Sequence, residues 1–264
     1  MMTLTNNQQG ESMKEGIEVT GNMNGFDYCS VVELRQYTLR VGQRDTLINL
    51  FDREFVESQE ALGMQVIGQF RDLDNPDRFV WLRGFADMAT RQGGLMAFYG
   101  GPVWAAHREL ANATMIDSDN VLLLRPAWLG GASSLRSNAR AVIGSDRIPQ
   151  GLIDVTIFHL REPAGAELLA WCRNRMASTL SEGGVLQQGW YITESSANNF
   201  PTLPVREGEN VLVGVAVFPG TTEFQRFQRD GRWGSEVAPM LSKWLAKSPQ
   251  SHRLVPTARS ALHA

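Results

Sequence analysis

The chain repeats its own pattern, and that repeat limits the folds open to it more than any other feature. VVELRQYTLR, Val31 to Arg40, alternates as a strand does and ends in Leu-Arg before a turn; IDVTIFHLR, Ile153 to Arg161, does the same. The offset is about 121 residues. An amphipathic helical pattern follows each strand, with Leu47, Leu50, Phe51, Phe55 and Ala61 on one side in the first copy and Leu168, Leu169, Cys172, Met176 and Leu180 in the second. Gly63 and Gly183 stand where each helix should end.

MQVIGQFRD and VLQQGWYIT come next at the same offset, which lays Gly68 on Gly189; a glycine inside a strand marks a bulge or a close backbone approach. RFVWLRGF and NVLVGVAVF supply third strands, two long helical stretches follow, and NVLLLRPAW and HRLVPTARSAL supply the fourth. Each half therefore reads β-α-β-β-α-β, the split unit of ferredoxin-like domains. A four-stranded antiparallel sheet with helices on one face needs cover on the other, and a second such sheet provides it. The predicted fold is α+β: two tandem ferredoxin-like domains, 28–128 and 151–264, whose antiparallel sheets face each other as a barrel. Residues 129–150, rich in Gly, Ser and Arg, form the expected linker. Residues 1–27 are polar and aperiodic, and are expected to form a disordered arm.

Composition narrows the function. Of 264 residues, 43% are hydrophobic and 20% charged, and the net charge of -3 gives no basic footprint for nucleic acid. No run approaches the roughly 18 apolar residues of a membrane span, and the amino terminus lacks the regions of a secretion signal, so a cytoplasmic location is expected. Cys29 and Cys172 make neither a disulfide framework nor a metal site and read as buried thiols. No phosphate-binding loop, dinucleotide glycine pattern or G-x-S-x-G motif is present.

ELRQYTLR, VIGQFRDLDNPDRFVWLRGFADM and FYGGPVWAAHRELANATMIDSDNVLLLRP resemble the NIPSNAP family, part of the dimeric α+β barrel group. The resemblance is close over Val31 to Pro126, whereas the second half is similar only in outline. It implies a ferredoxin-like domain that pairs sheet to sheet. It does not imply one chemistry, because that group includes cofactor-independent monooxygenases, haem enzymes and proteins of no known activity.

Alternation puts Glu33, Arg35 and Tyr37 on one face of the first strand and Trp81 and Arg83 on one face of the third. The second half carries Thr156, Phe158, Gly214 and Ala216 at the positions of Arg35, Tyr37, Trp81 and Arg83. We therefore expect a pocket in the first half and a filled counterpart in the second; drift after duplication is the plain alternative. After the Gly100-Gly101-Pro102 break, Val103, Trp104, Ala106, Leu110 and Ala113 share a predicted buried helical face, with His107 one turn beyond Trp104. Matching Trp104 to Trp233 sets Glu236 opposite His107.

The catalytic candidates are His107 as acid or base, Arg83 holding an anionic or carbonyl oxygen, and Tyr37 donating to an oxyanion. Arg35, Trp81, Trp104, Tyr99 and Asn112 are the candidate substrate contacts. Each also has a structural reading: His107 as a core histidine, Arg35 as a sheet-edge ion pair, Trp81 as core. Three functions stay open. One is an enzyme acting on a small, mostly apolar molecule by proton transfer or cofactor-independent oxygenation, with no cofactor. The others are a non-catalytic binding or interaction module and a haem enzyme with His107 on the iron. The expected partner is a small molecule, and faces left uncovered can support a homodimer of two-domain chains.

Overall fold

The computed structural model describes Phe26 and residues 28–264, so the expected arm lies, Phe26 apart, outside the described residues. Nine strands form among the described residues: β1 (Val31–Leu39), β2 (Gln65–Asp72), β3 (Arg78–Phe85), β4 (Met115–Asp117), β5 (Val121–Pro126), β6 (Leu152–His159), β7 (Gln187–Thr193), β8 (Val211–Phe218) and β9 (Gln250–Pro256). Within the first half the order across the sheet is β5-β1-β3-β2, and within the second it is β9-β6-β8-β7. Antiparallel pairing of β2 with β9 and of β5 with β7 joins the halves. The result is a mixed α/β fold with a closed eight-stranded barrel, and β4 is a short spur on β1. Closure leaves the eight barrel strands without a free edge, the usual liability of an open sheet.

The pleat divides each strand between two cores. Val32, Leu34, Val80 and Leu82 point into the barrel, where they meet Ile153, Val155, Ile157, Val213 and Val215 from the second half. Tyr37, Trp81 and Phe85 point outward beneath the first half's helices, and Phe158, Trp190 and Ala216 do so in the second. Strands β1, β3 and β8 are thus buried almost throughout, whichever way a residue faces.

Each half's first helix is continuous but contains one π-helical turn, which the sequence pattern does not announce. The segments are Arg44–Leu50, Phe51–Phe55 and Val56–Glu60, then Ala166–Trp171, Cys172–Met176 and Ala177–Glu182. Both π turns fall at the same repeat position. Gly63 ends its helix in the left-handed region at φ 79°, but in the second half that residue is Gly184 at φ 93°, not Gly183. Gly68 does sit at a bulge, where the β2–β3 register shifts, and a Cβ there would press on the Phe70 ring and Leu262.

The helical region between β3 and β4 breaks at Gly100–Gly101 as expected, into Met88–Tyr99 and Pro102–Thr114. Its buried face differs from the predicted one. Ala106, Leu110 and Ala113 are exposed, while Ala111 and Thr114 are buried and Val103, Trp104 and His107 are half-buried. Trp104, His107, Ala111 and Thr114 follow one another at helical spacing on the inner side, so two polar residues lie on it and Leu110 does not. The segment 129–150 has no regular structure, and its Ala132 and Leu135 join Ala261 and Leu262 in the barrel core. Cys29 and Cys172 are buried free thiols, and burial pushes the Cys29 thiol up to about 12.

At the β2–β9 joint, the buried Asp72 carboxylate lies 3.1 Å from His252 Nδ1 and 3.3 Å from Arg78 Nη1, and accepts the backbone N–H of Asp74 at 2.8 Å. Burial would raise this carboxyl. The His252 and backbone hydrogen bonds and the charges of His252 and Arg78 outweigh it, so the net shift is downward. A carboxyl lowered in the folded state adds stability above its unfolded value near about 4 and loses it as pH falls through the lower folded value. Asp72→Asn should cost about 1–3 kcal/mol at pH 7. The gap to the unsubstituted protein, measured by urea denaturation, should close toward strongly acidic pH.

Candidate functional site

Alternation assigned the outward face of β1 and β3 correctly, and those residues converge. Arg35 stands opposite Trp81 and Glu33 opposite Arg83 across the strand pair. Glu33 is the hub. Its Oε2 accepts Arg35 Nη1 at 2.9 Å and Arg83 Nη2 at 2.7 Å, and its Oε1 accepts Arg91 Nε, from the Met88–Tyr99 helix, at 2.8 Å. All four side chains have 0% exposure. Arg83 Nη1 also donates to Gln59 Oε1 at 2.8 Å, and Arg35 Nε donates to the Tyr37 hydroxyl at 2.9 Å. The Trp81 ring lies under both guanidiniums, 5.5 Å from Arg35 and 5.0 Å from Arg83.

Desolvation opposes the charge on Glu33, but three guanidiniums overcome it and hold the carboxyl far below its usual range. Tyr37 shifts the other way. Its burial outweighs the pull of Arg35, and its phenol is raised.

Over this hub the helices pack aromatic rings. Tyr99 meets Trp104 at 4.9 Å, and Phe55 meets Trp104 at 5.8 Å. The space left among Tyr37, Trp81, Phe51, Phe55, Tyr99 and Trp104 is about 30 Å³. His107 lies outside it, 30% exposed, its ring 6.2 Å from Phe55 and its Nε2 3.6 Å from Glu54 Oε2. Asn112 is exposed, and Glu236, matched to His107, pairs with Arg175 at the surface. The expected group therefore divides: Arg35, Tyr37, Trp81 and Arg83 form one buried cluster, Tyr99 and Trp104 roof it, and His107 and Asn112 stand apart.

An aromatic-walled cavity lies beneath the helices of the second half, where the sequence pattern led us to expect a filled site. It measures about 390 Å³. Asp154, Thr156 and Phe158 of β6 line it, with Trp190, Gly214 and Ala216 from the sheet, Leu180, Phe224, Phe227 and Trp233 from the helices, and Ser251 of β9. The cause is cross-strand. Asp154 occupies the register position of Glu33 but faces Ala216 where Glu33 faces Arg83, and Thr156 faces Gly214 where Arg35 faces Trp81. Two large side chains are thereby exchanged for a methyl group and a hydrogen. The Trp190 ring leans across Gly214, where a Cβ would lie 2.9 Å from it, and its Nε1 donates to Gln188 Oε1 at 2.9 Å.

Asp154 accepts hydrogen bonds from the Thr156 hydroxyl at 3.0 Å and from the Ser251 hydroxyl. Burial raises its pKa, and those two hydroxyls only partly offset the shift. Sequence reasoning passed over Asp154, Trp190, Phe224, Phe227 and Ser251, and took Thr156 as part of a filled site. The available signal was an acid matching Glu33 with no arginine opposite it.

No group of three or more His, Cys, Asp or Glu suited to a metal exists among the described residues. The cavity lining contains no His, Cys, Met or Tyr, the usual axial ligands of haem iron, so these residues do not fit haem.

Residues 32–129 match the NIPSNAP family model. The second half, with the larger cavity, lies outside that match. No curated protein matches the sequence. Among solved structures, the chain is similar to a candidate monooxygenase from Lactobacillus acidophilus NCFM, with 12% identity, 89% of this chain and 99% of that one covered, and a TM-score of 0.55. It is also similar to a candidate monooxygenase from Fusobacterium nucleatum, at 8% identity, 89% and 95% coverage and a TM-score of 0.58. An anthrone oxidase-like protein shares 11% identity over 91% of this chain and 98% of that one, at a TM-score of 0.50. At such identities the likeness is one of fold, that of the dimeric α+β barrel proteins. No helix among the described residues is long and apolar enough to cross a membrane.

The hub makes a direct energetic claim. Replacing the lone carboxylate by an amide, Glu33→Gln, leaves three guanidiniums without an opposing charge in a site closed to water. The expected loss is about 3–5 kcal/mol in urea unfolding at pH 7, as for breaking a buried ion pair from one side.

Proposed function

We propose that the chain is an enzyme that takes a small, mostly apolar, ring-bearing molecule into the second-half cavity and removes a proton from carbon with Asp154. The observation that carries this reading is an aromatic-walled space of about 390 Å³ with one ionisable group in its lining. Phe158, Trp190 and Trp233 offer ring faces and edges to a flat substrate. Ser251 and Thr156 hold the carboxylate in one orientation, and burial makes Asp154 a stronger base than an exposed aspartate.

The chemistry that follows needs dioxygen as the oxidant. Asp154 takes a proton from an activated CH₂, the electron pair left on carbon forms a C–O bond with dioxygen, and the peroxide anion takes that proton back from Asp154. The resulting hydroperoxide loses water to leave a carbonyl. In sum CH₂ and O₂ give C=O and H₂O, without a bound cofactor. The fold shared with candidate monooxygenases and an anthrone oxidase-like protein supports this class of reaction by analogy. In this reading Arg35, Tyr37 and Arg83 stabilise the first half and do not touch substrate, and the half-buried His107 stands outside the reaction.

The finer reading of the architecture is two tandem ferredoxin-like copies in one chain. The repeated element order and the π turns at matching positions support it. Exposed Met96, Leu110 and Ile116 support pairing of two such chains.

Anthrone, whose ring CH₂ is acidic, is the probe. Oxygen uptake is expected with the unmodified chain, and Asp154→Asn should lower the rate by about 10²–10⁴. The rate should fall as pH drops through a value above the ordinary carboxylate range. Ala216→Trp should fill the cavity and abolish binding while near-ultraviolet circular dichroism keeps its folded form. An undiminished rate in Asp154→Asn ends this reading. A non-catalytic binding module is the second reading, favoured by the lack of a second ionisable residue in the lining; it is the outcome if probes saturate the site without oxygen uptake.

A further inference from the structure

The second-half cavity has a floor and a roof of different character. On the floor, Asp154 and Thr156 are half-buried between buried neighbours along β6. The roof includes the Thr221–Asp230 helix, which contributes Phe224, Phe227 and Gln228 to the lining. Those three stand at i, i+3 and i+4 and so share one helix face. Phe224 and Phe227 anchor that face on the sheet, their rings 5.2 and 5.5 Å from that of Phe218. Gln228 puts a carboxamide where the pattern calls for a third apolar side chain. It is exposed, as are Gly234 and Pro249 of the same lining, which sets it at the mouth rather than the floor.

Hydrogen bonding singles out the same residue. The Thr156 and Ser251 hydroxyls donate to Asp154, and Trp190 Nε1 donates to Gln188. Gln228 has no hydrogen-bond partner among the described residues. Trp233 Nε1 has none either, but its ring is committed to packing, 6.3 Å from Phe158 and 6.3 Å from Phe227. The cavity therefore offers a base on the sheet and an uncommitted amide on the helix layer above it, with aromatic rings between.

Taking a proton from a carbon conjugated to a carbonyl sends negative charge to the carbonyl oxygen, and a donor already in place for that oxygen lowers the barrier. We propose that Gln228 is this donor, and that the site takes flat cyclic ketones whose carbonyl lies across the ring from the CH₂ that Asp154 deprotonates. The proposal rests on the proton-abstraction reading above. Asp154 takes the proton at the floor, and the electron pair spreads through the ring to the oxygen. That oxygen accepts the Gln228 N–H without removing its proton. The pair then returns to carbon and forms the bond to dioxygen. A ketone whose CH₂ adjoins its carbonyl does not span the two groups.

Binding and turnover test this separately on the full chain. 9,10-Anthraquinone, the product from anthrone, reports the contact without any reaction. In infrared difference spectra of the bound quinone, one carbonyl band should lie below the free position. Gln228→Leu, an exposed substitution that near-ultraviolet circular dichroism should show to be folded, should lose that band, and Trp233→Phe should keep it. Anthrone oxidation should fall by about 10² in Gln228→Leu, as for loss of one oxyanion donor. 2-Tetralone, whose acidic CH₂ adjoins its carbonyl, should not be oxidised. An unchanged band or an unchanged anthrone rate in Gln228→Leu overturns the proposal, as do loss of the band in Trp233→Phe, failure of the quinone to bind, or oxidation of 2-tetralone as fast as anthrone. If the unmodified chain oxidises no anthrone yet Gln228→Leu loses the lowered band, the Asp154 reading fails and the Gln228 contact with ketones stands.

Discussion

Everything in this molecule follows from strands that are buried on both faces. Closing eight strands into a barrel gives each one an inner side against the barrel core and an outer side against a helix layer. A polar side chain on either side is out of water and must be paired, or else border a cavity. The joints at β2–β9 and β5–β7 impose this, because without them neither half would have cover for its inner face.

The halves meet the constraint in opposite ways. In the first, an acid on β1 is neutralised by arginines from β1, β3 and a helix, and aromatic rings close the remaining space. In the second, the acid at the same register position faces a small residue, keeps only two hydroxyl partners and borders a cavity. One carboxyl is held far below its usual range by cations and the other is raised by burial. Matching positions on β1 and β6 thus hold a carboxyl fully paired with cations in one half and one at the wall of a cavity in the other.

Much of this was legible before any coordinates. Strand β3 coincides with RFVWLRGF, Gly68 marks a bulge, and Arg35, Tyr37, Trp81 and Arg83 share the face that alternation assigned. The π turns were not legible, since one added residue does not disturb an apolar pattern visibly. Neither was the orientation of the Pro102–Thr114 helix, whose inner side carries the polar His107 and Thr114 while Leu110 is exposed. His107 drew notice by its chemistry, but its neighbours Glu54 and Phe55 come from another helix that no local pattern links to it.

The sequence by itself determined the order of the elements and which side of each strand carries polar groups, because both depend on neighbours along the chain and on the two-residue pleat. Only the tertiary structure decided which half is hollow. Free volume is what remains after side chains from distant segments have packed, and a row of large polar residues can fill a site as completely as apolar ones. Arg91 and Gln59 reach the hub from two helices and Asn198 and Asn199 from the other half, while Gly214 and Ala216 leave room opposite Asp154.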